Sequence, residues 1–398
     1  MSVMEERKKK RRGKRKNKKN RRSHKGFYVI FAVVSTLVVF VAVVGLAIIL
    51  LYKSGYAKLM ESVEAKAPDV QRMTNTEDEL VAREKAKLST VEWQDNWVAI
   101  GEKIYAYDEN CVNLLFLGID KSGNVSEKSD FDNWEAGQTD AIFVVSLNKT
   151  TGKVNIVGIP RNSMVNVDIY DAENHKIDTV YDQICLQYAF AGGGTAGLER
   201  VKESVSELFY GMPIHGAFAV GYDAVGIIND MVGGIEVEVL EDLQKENKAF
   251  VRGKQLHLDG NLALAYVRSR NYGQVGSPTL RLKRQNQYVT ALINKTKEKV
   301  KENPLIVKDM YQAVSAYMNT DVTLEEVVYL AAEAVEYEFG ENSFKLLEGE
   351  DRIVEIPEER LKPGEEIEPF YNDYYLDEEK VKELMLNTFY EEVLIGES

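Results

Sequence analysis

The chain has 398 residues, of which 28% are charged, and its formal net charge is −13. Four histidines and two cysteines are too few and too scattered to suggest a zinc protein. The charge is divided unevenly, because the first 26 residues carry +12 and the remainder therefore carries −25. This asymmetry indicates a membrane protein with a basic tail.

Residues 27–52 form an uncharged segment rich in Val, Leu, Ile and Phe. Its 26 residues exceed the roughly 20 that span a bilayer, and it is too long for the apolar core of a cleaved signal peptide. Basic residues crowd its N-terminal side, so the positive-inside rule places the N-terminus in the cytoplasm. We predict a basic cytoplasmic tail at 1–26, a single transmembrane signal-anchor at 27–52 and an extracellular remainder.

The basic tail itself has two interpretations. Runs of this kind often bind nucleic acid. Directly before a spanning helix, the tail is better explained by membrane topology and by contact with anionic lipid headgroups. We therefore expect a membrane-bound protein with no nucleic-acid partner.

The part after the predicted anchor divides into two segments. Residues 53–108 are mostly polar and rich in Glu, Lys and Ala, which predicts a helical stalk or accessory segment. From residue 109 to 398, short apolar runs alternate with helical patterns, which predicts an α/β protein with an α-β-α layered domain around a central mixed sheet. Helical periodicity occurs at 195–209, 222–231, 258–267, 279–301, 304–317, 324–338 and 377–390, and strand-like runs occur at 112–118, 217–220 and 235–240. Residues 348–369 contain three prolines and are predicted to be mostly loop.

A hairpin is predicted from the runs 141–147 and 154–159, which flank a glycine-bearing turn. Both runs are almost continuously apolar, so the sheet should be covered on both faces. A turn centred on residues 150 and 151 would place Asp140 opposite Arg161 at the open end. These two form either a simple ion pair or a metal ligand beside a phosphate clamp, and Asp120, at another strand end, could join them.

A cluster of cations stands out in the otherwise acidic C-terminal part. Its members are Arg268, Arg270, Arg281, Lys283 and Arg284. Ser277 and Pro278 suit the start of a helix, on which Arg281, Arg284 and Gln285 share one side. Guanidinium groups match phosphate oxygens two at a time, and the helix start attracts the same anion. The alternative is a basic helix face that neutralises the acidic surface around it.

Two cysteines, Cys111 and Cys185, permit one disulfide in an exported domain. Each also lies in an apolar context that suits a buried free thiol.

Seven motifs follow one another along residues 110–300. They are Asn113-Leu-Leu-Phe-Leu-Gly-Ile-Asp120, Thr139-Asp140, Ile159-Pro-Arg-Asn162, Gln187-Tyr-Ala-Phe-Ala-Gly-Gly193, Asp230-Met-Val-Gly-Gly-Ile-Glu-Val237, Leu258-Asp-Gly-Asn-Leu-Ala-Leu-Ala-Tyr-Val-Arg-Ser-Arg270 and Arg281-Leu-Lys-Arg-Gln285. Because these motifs occur in this order behind a predicted membrane anchor, the chain resembles the LytR-CpsA-Psr family of cell-wall assembly enzymes.

The resemblance implies a phosphotransferase that moves a glycopolymer, such as teichoic acid or capsule, from a polyprenyl-pyrophosphate carrier onto peptidoglycan outside the cell. It implies Mg²⁺ as cofactor, with Asp120 and Asp140 as metal ligands. Pyrophosphate-binding positions match Arg161, Arg268, Arg270, Arg281 and Gln285, and catalysis falls to Asp140, Arg161, Arg268 and Arg270. Arg284 is an alternative to one of these arginines. A polyprenyl tail also needs an apolar tunnel, for which helices 195–209 and 288–293 are candidates.

The chain departs from the family pattern in four places. Gln138 stands where an arginine is usual, Asn162 and Pro278 where aspartates are usual, and the usual lysine is either displaced to Lys176 or replaced by Gln183. A lost carboxylate can mean a lost acid/base partner. The alternative function is therefore a non-catalytic scaffold or regulator that binds pyrophosphate lipids.

Overall fold

The computed structural model describes residues 53–59, 68–74, 76–127, 136–269, 277–337, 339, 343–355 and 370–394. Residues Gly55–Ser398 form one compact unit, and Met1–Ser54 form a second unit that is almost wholly outside this description. The predicted cytoplasmic tail and transmembrane helix also lie outside the described residues. Within the described ranges, no helix has both the length and the apolar character needed to cross a membrane.

The strands are numbered in chain order. They are β1 (Trp97–Ile100), β2 (Lys103–Tyr107), β3 (Cys111–Ile119), β4 (Thr139–Asn148), β5 (Val154–Gly158), β6 (Met164–Tyr170), β7 (Lys176–Gln183), β8 (Gly216–Val220), β9 (Ile235–Glu238), β10 (Gln255–Leu258), β11 (Met318–Thr320), β12 (Phe344–Leu346), β13 (Gly349–Glu355), β14 (Phe370–Leu376) and β15 (Tyr390–Glu392).

The helices begin with residues 53–59, called α1. The others are α2 (Val70–Met73), α3 (Thr76–Leu88), α4 (Gln187–Phe190), α5 (Gly194–Leu208), α6 (Tyr222–Met231), α7 (Gly260–Arg268), α8 (Ser277–Glu302), α9 (Ile306–Val314), α10 (Leu324–Glu336) and α11 (Glu378–Phe389).

A six-stranded sheet with the order β11-β8-β3-β4-β5-β12 forms the centre of the fold. β3 and β8 are parallel, as are β5 and β12, whereas the other neighbours are antiparallel. The sheet is therefore mixed, and the predicted α/β class with a central mixed sheet is confirmed. The predicted β4–β5 hairpin also has the expected register, with Phe143 opposite Gly158 and Val144 opposite Val157.

Both faces of the sheet are covered, as the continuous apolar runs predict. Alternate residues of β3 point to opposite faces, so Leu115 and Leu117 join one core, to which α5 and α11 contribute. Leu114 belongs to a second core, together with residues of α8 and α10. The continuous apolar runs thus reflect burial on both sides of one sheet.

The segment 53–108 contains more than the predicted helical structure. α3 agrees with the prediction, but residues 97–107 form β1 and β2, which pair with each other and with β15 near the C-terminus. Met73 lies in the core that contains Tyr390. The expectation of helix up to residue 100 is wrong there, because tertiary pairing with β15 stabilises strands that the composition does not indicate.

Two further hairpins were not predicted. β6 and β7 form one, and β13 and β14 form the other, so the loop predicted from residue 348 is instead a strand at Gly349–Glu355. β13 has the sequence Gly-Glu-Asp-Arg-Ile-Val-Glu, which lacks apolar alternation and is held by its partner strand. Both cysteines are buried free thiols rather than a disulfide.

Candidate functional site

Several strand ends meet at one edge of the central sheet. β3 ends there at Ile119, β5 at Gly158 and β8 at Val220, while the antiparallel β4 begins there with Thr139. The residues that follow these ends are therefore brought together although they are far apart in sequence.

Asp140 lies at this edge and contacts two arginines. Arg281 Nη1 donates to Asp140 Oδ2 at 2.9 Å, and its Nη2 donates to Oδ1 at 3.3 Å. Arg161 Nη1 donates to Oδ1 as well, as the hairpin register predicts. The side chain of Arg281 is 3% exposed and that of Asp140 is 12% exposed. One buried carboxylate thus joins two guanidinium groups.

Arg161 has further neighbours within the same cluster. Its Nη2 donates to Gln138 Oε1 at 2.6 Å and to Cys185 Sγ at 3.2 Å. Burial by itself would lower the pKa of Arg161, but Cys185 and Asp140 oppose that effect and the net direction is upward. Burial raises the pKa of the Cys185 thiol, and the Arg161 guanidinium opposes that rise. Cys185 was not predicted as a site residue, because nothing local in its sequence indicates contact with Arg161.

Asp120 lies at the same edge. Its Oδ1 accepts a hydrogen bond from the backbone N–H of Gln138, and its own backbone N–H donates to the Gln138 carbonyl at 3.0 Å. Gly137 has φ +81°, and a Cβ there would lie 3.0 Å from Asp120 Oδ1. A glycine is needed for this close approach. The charge of Asp120 also contributes to the raised pKa of Arg161, so the two predicted metal ligands belong to one cluster.

Arg268 is the last residue of α7 and contacts Tyr222. Its Cζ lies 3.8 Å from the ring centroid of Tyr222, which is a cation–π contact. Burial raises the pKa of Tyr222, and Asp140 and Asp120 add to that effect. Tyr222 was not predicted, although its position directly after β8 is a usable signal. Arg270 lies outside the described residues.

Arg284 does not join the cluster. Its side chain is 1% exposed, pairs with Glu241 and donates through Nε to the Tyr266 carbonyl at 2.6 Å. Burial lowers the pKa of Arg284, against the opposing effect of Glu241. Of the two alternatives on α8, Arg281 is therefore the one that faces Asp140, and Arg284 ties α8 to the end of α7.

An apolar cavity of about 490 Å³ opens beside the cluster. Its lining includes the polar residues Asp140, Arg268, Tyr222 and Gln285. Gln285 Nε2 donates to the Val267 carbonyl at 3.2 Å. The remaining wall comes from one face of the sheet and from α6, α8, α9 and α10, and includes Leu114, Phe116, Phe143, Leu292, Ile293 and Leu330.

The two helices predicted to line a tunnel behave differently. Tyr288, Val289, Leu292 and Ile293 of α8 do line the cavity. Leu198, Val201 and Val205 of α5 instead belong to the core on the opposite face of the sheet, so the prediction for 195–209 is wrong. Both helices have apolar stripes, and the stripe alone does not specify which face of the sheet a helix covers.

The departures from the family pattern also have defined places. Gln138 accepts from Arg161, as described above. Lys176 lies at the far end of β7 from Gln183 and pairs with Asp168 at 2.7 Å. Gln183, directly before the segment that holds Cys185, therefore occupies the place nearer the cluster. Asn162 is 2% exposed and bonds to the C-terminal part of the chain.

The residues fit one kind of metal site. Within the described ranges, no group of three or more His, Cys, Asp and Glu side chains is arranged to hold a metal ion. Asp120 and Asp140 provide two carboxylates, and Mg²⁺ is commonly held by one or two carboxylates together with substrate phosphates. The cluster thus suits a magnesium ion that arrives with a phosphate ligand.

The fold and the site define an α/β protein in which a cluster of Asp140, Arg161 and Arg281 adjoins an apolar cavity. The model of the LytR_cpsA_psr family matches residues 69–355. The chain belongs to that family.

Curated relatives and solved crystal structures are similar to this chain. The polyisoprenyl-teichoic acid–peptidoglycan teichoic acid transferase TagU of Bacillus cereus is 27% identical over 184 residues, which are 46% of this chain and 52% of TagU. TagV of Bacillus subtilis, named for the same activity, is 27% identical over 189 residues, 46% of this chain and 43% of TagV. The chain spans about half the length of the curated relatives it matches. The crystal structure of protein gbs0355 from Streptococcus agalactiae has a TM-score of 0.50 at 21% identity, covering 68% of this chain and 84% of that one, and shows a shared fold.

Proposed function

We propose that the protein is a Mg²⁺-dependent phosphotransferase that attaches a polyprenyl-pyrophosphate-linked glycopolymer, of the teichoic-acid or capsule type, to peptidoglycan. One observation carries the proposal: Asp140, which pairs with Arg161 and Arg281, also lines an apolar cavity together with Arg268. A charged head and an apolar tail are the two parts of a pyrophosphate lipid, and the site offers a matching environment for each.

The arginines bind the pyrophosphate. Guanidinium groups form paired hydrogen bonds with phosphate oxygens as readily as with carboxylates, so the ligand competes with Asp140 for Arg161 and Arg281. Arg268, at the cavity mouth, supplies a further positive charge, and Arg270 is assigned to the site by its motif alone. Gln285, which lines the cavity, offers the pyrophosphate a neutral hydrogen-bonding partner.

The transfer forms a bond between an acceptor hydroxyl oxygen and the glycopolymer-bearing phosphorus. The bond from that phosphorus to the bridging oxygen breaks, and the proton of the acceptor hydroxyl passes to the polyprenyl phosphate that leaves. Charge builds up on the phosphate oxygens, and arginines that already face them stabilise it. Asp120 and Asp140 would hold Mg²⁺, which neutralises phosphate charge when bound.

The same reaction suggests where the protein works. Residues 27–52 would anchor it as a single-pass membrane protein with a cytoplasmic N-terminus, and the domain would act at the outer surface. The carrier lipid lies in that membrane and the peptidoglycan acceptor lies outside it.

The test is a transfer assay on the full chain in detergent micelles, with a short lipid-linked saccharide, a peptidoglycan-type glycan and Mg²⁺. Wild type should release polyprenyl phosphate and form a glycan phosphodiester. Arg161→Ala should lower the rate by about 10²–10³-fold, the cost of removing one preorganised charge stabiliser. Arg72→Ala, which alters an exposed arginine paired with Glu207, is the matched control and should be unchanged. A fully active Arg161→Ala variant would exclude the site.

A non-catalytic scaffold is the second candidate. Asn162 stands where the family usually has an aspartate, and its side chain bonds to Asn372 rather than to the cluster. If wild type binds the pyrophosphate lipid with Mg²⁺ but forms no product with any acceptor glycan, the scaffold role replaces the enzyme.

A further inference from the structure

The C-terminal hairpin β13–β14 lies against the loop that carries Arg161, although β14 follows the part of the chain that matches the family model. The Tyr374 N–H donates to the Asn162 carbonyl at 2.9 Å, and Ser163 forms a parallel bridge with Tyr374. The Asn162 side-chain amide donates to the Asn372 carbonyl at 2.5 Å. The residue next to Arg161 is thus held by β14 through both its main chain and its side chain.

The hairpin also holds the other segment that touches Arg161. Gln183 Nε2 donates to Asp373 at 2.7 Å, and Asp373 is 8% exposed. Two residues later, the Cys185 N–H donates to the Arg161 carbonyl at 3.1 Å, and its sulfur accepts from the guanidinium. β14 therefore contacts both the residue that follows Arg161 and the segment that leads to Cys185.

An amide at position 162 suits this arrangement better than a carboxylate. Only an amide can donate to the Asn372 carbonyl, since an ionised carboxylate has acceptors alone. The Asp351 carboxylate of β13 also lies beside Asn162. Burial raises the pKa of Asp351, and the Asn162 amide opposes that rise by favouring the charged form. A carboxylate at 162 would face a second carboxylate and an unpaired carbonyl oxygen.

We propose that the C-terminal hairpin is part of the anion site and that Asn162 is a positioning residue for Arg161, held by its hydrogen bonds to Asn372 and Tyr374. The departure of Asn162 from the family pattern is then matched to this hairpin. The catalytic consequence rests on the proposed function, whereas the positioning itself does not.

The thiol of Cys185 reports on the position of Arg161. Cys185 is fully buried beside the guanidinium. Cys111 serves as an internal reference, because it is 2% exposed and begins β3, at the end of that strand away from the cluster. The experiment alkylates the native full chain in detergent micelles with iodoacetamide and follows both thiols by peptide mass spectrometry. Asn162→Asp should raise the Cys185 labelling rate by about tenfold, the change expected from loss of one buried hydrogen bond, and leave Cys111 unchanged.

The reciprocal variant tests the specific contact. Asn162→Asp combined with Asp351→Asn again puts one carboxylate beside one amide but does not restore the donor to the Asn372 carbonyl, so it should lower Cys185 labelling only part of the way from the Asn162→Asp rate. Asp351→Asn alone keeps an acceptor beside the Asn162 amide and is the matched control, with little expected change. In the transfer assay, Asn162→Asp should lower kcat/KM by a similar factor. The same substitution restores the usual family aspartate, so without the positioning role of Asn162 it would be expected to raise kcat/KM.

Each outcome decides the proposal. Unchanged Cys185 labelling in Asn162→Asp overturns it, and so does a parallel rise at Cys111, which would mean a general loss of stability. A double variant in which Cys185 is labelled as fast as in Asn162→Asp overturns the role of Asp351. If Cys185 responds as expected while wild type shows no transfer, the positioning stands and the proposed enzymatic function fails.

Discussion

Asp140→Ala removes the carboxylate that lies between two buried guanidinium groups. At an effective dielectric constant of about 20, one ion pair at 4 Å attracts by about 4 kcal/mol, and removal of one partner from a buried pair costs about 3–5 kcal/mol because the other charge is left uncompensated. Arg281 is 3% exposed and Arg161 is 16% exposed, so solvent screens them little. We expect the free energy of unfolding without ligand to fall by about 3–5 kcal/mol.

The same variant should respond more strongly to an anionic ligand than wild type does. With Asp140 absent, Arg161 and Arg281 no longer have to leave the Asp140 carboxylate when a pyrophosphate binds. Farnesyl pyrophosphate without Mg²⁺ should therefore bind more tightly than it does to wild type, and should stabilise the variant more at the same ligand concentration. Ligand at 100 times its Kd should restore about 2.7 kcal/mol of stability. Mg²⁺-dependent transfer should be lost, because a metal ligand is removed while the arginines remain.

The assay is urea unfolding of the full chain in detergent micelles, followed by intrinsic fluorescence with and without farnesyl pyrophosphate. Glu241→Ala is the matched control, since it removes the ion-pair partner of the buried Arg284, which does not line the cavity. It should destabilise to a similar degree but gain nothing beyond wild type from the ligand. Equal ligand rescue of both variants, or an Asp140→Ala variant as stable as wild type, would refute the reasoning.

Three further predictions concern the ends of the site and the core. Replacing Arg268 and Arg270 together with Ala should abolish binding of farnesyl pyrophosphate by calorimetry while circular dichroism stays native; unchanged binding in the folded variant would contradict the site. Ile293→Asp places a charge in the cavity wall and should weaken the binding of farnesyl pyrophosphate by at least about 100-fold. The binding of inorganic pyrophosphate should not change. Equal losses of affinity for both ligands would contradict a lipid role for the cavity. Burial lowers the pKa of His215 from 6.5 to about 4, so the unfolded chain binds a proton that the fold does not. Urea unfolding should therefore show about 3 kcal/mol lost as the pH falls from above 6.5 to 4, and His215→Asn should flatten this dependence.

Local sequence patterns were sufficient for the central hairpin and its ion pair. Two continuous apolar runs around a short turn define both strands, and the side-chain period of two leaves little freedom in their register. Asp140 and Arg161 follow from that register. The motif order likewise indicated the family, because it samples several elements whose spacing is set by one fold.

The choice between equivalent side chains required the tertiary structure. Arg281 and Arg284 lie three residues apart on one helix, so both satisfy the same local pattern, yet one faces Asp140 and the other faces Glu241. The stripes of α5 and α8 are similarly alike, and only the packing shows that α8 lines the cavity.

The sequence by itself determined the class of the fold, the family and the central Asp140–Arg161 pair, because these depend on local periodicity and on short connected segments. Only the tertiary structure decided which helices enclose the cavity and that the C-terminal hairpin holds Asn162. That contact joins residues 210 positions apart and is made by a strand with little apolar pattern of its own. Contacts of this kind come from the packing of the whole domain, and no window of the sequence contains both partners.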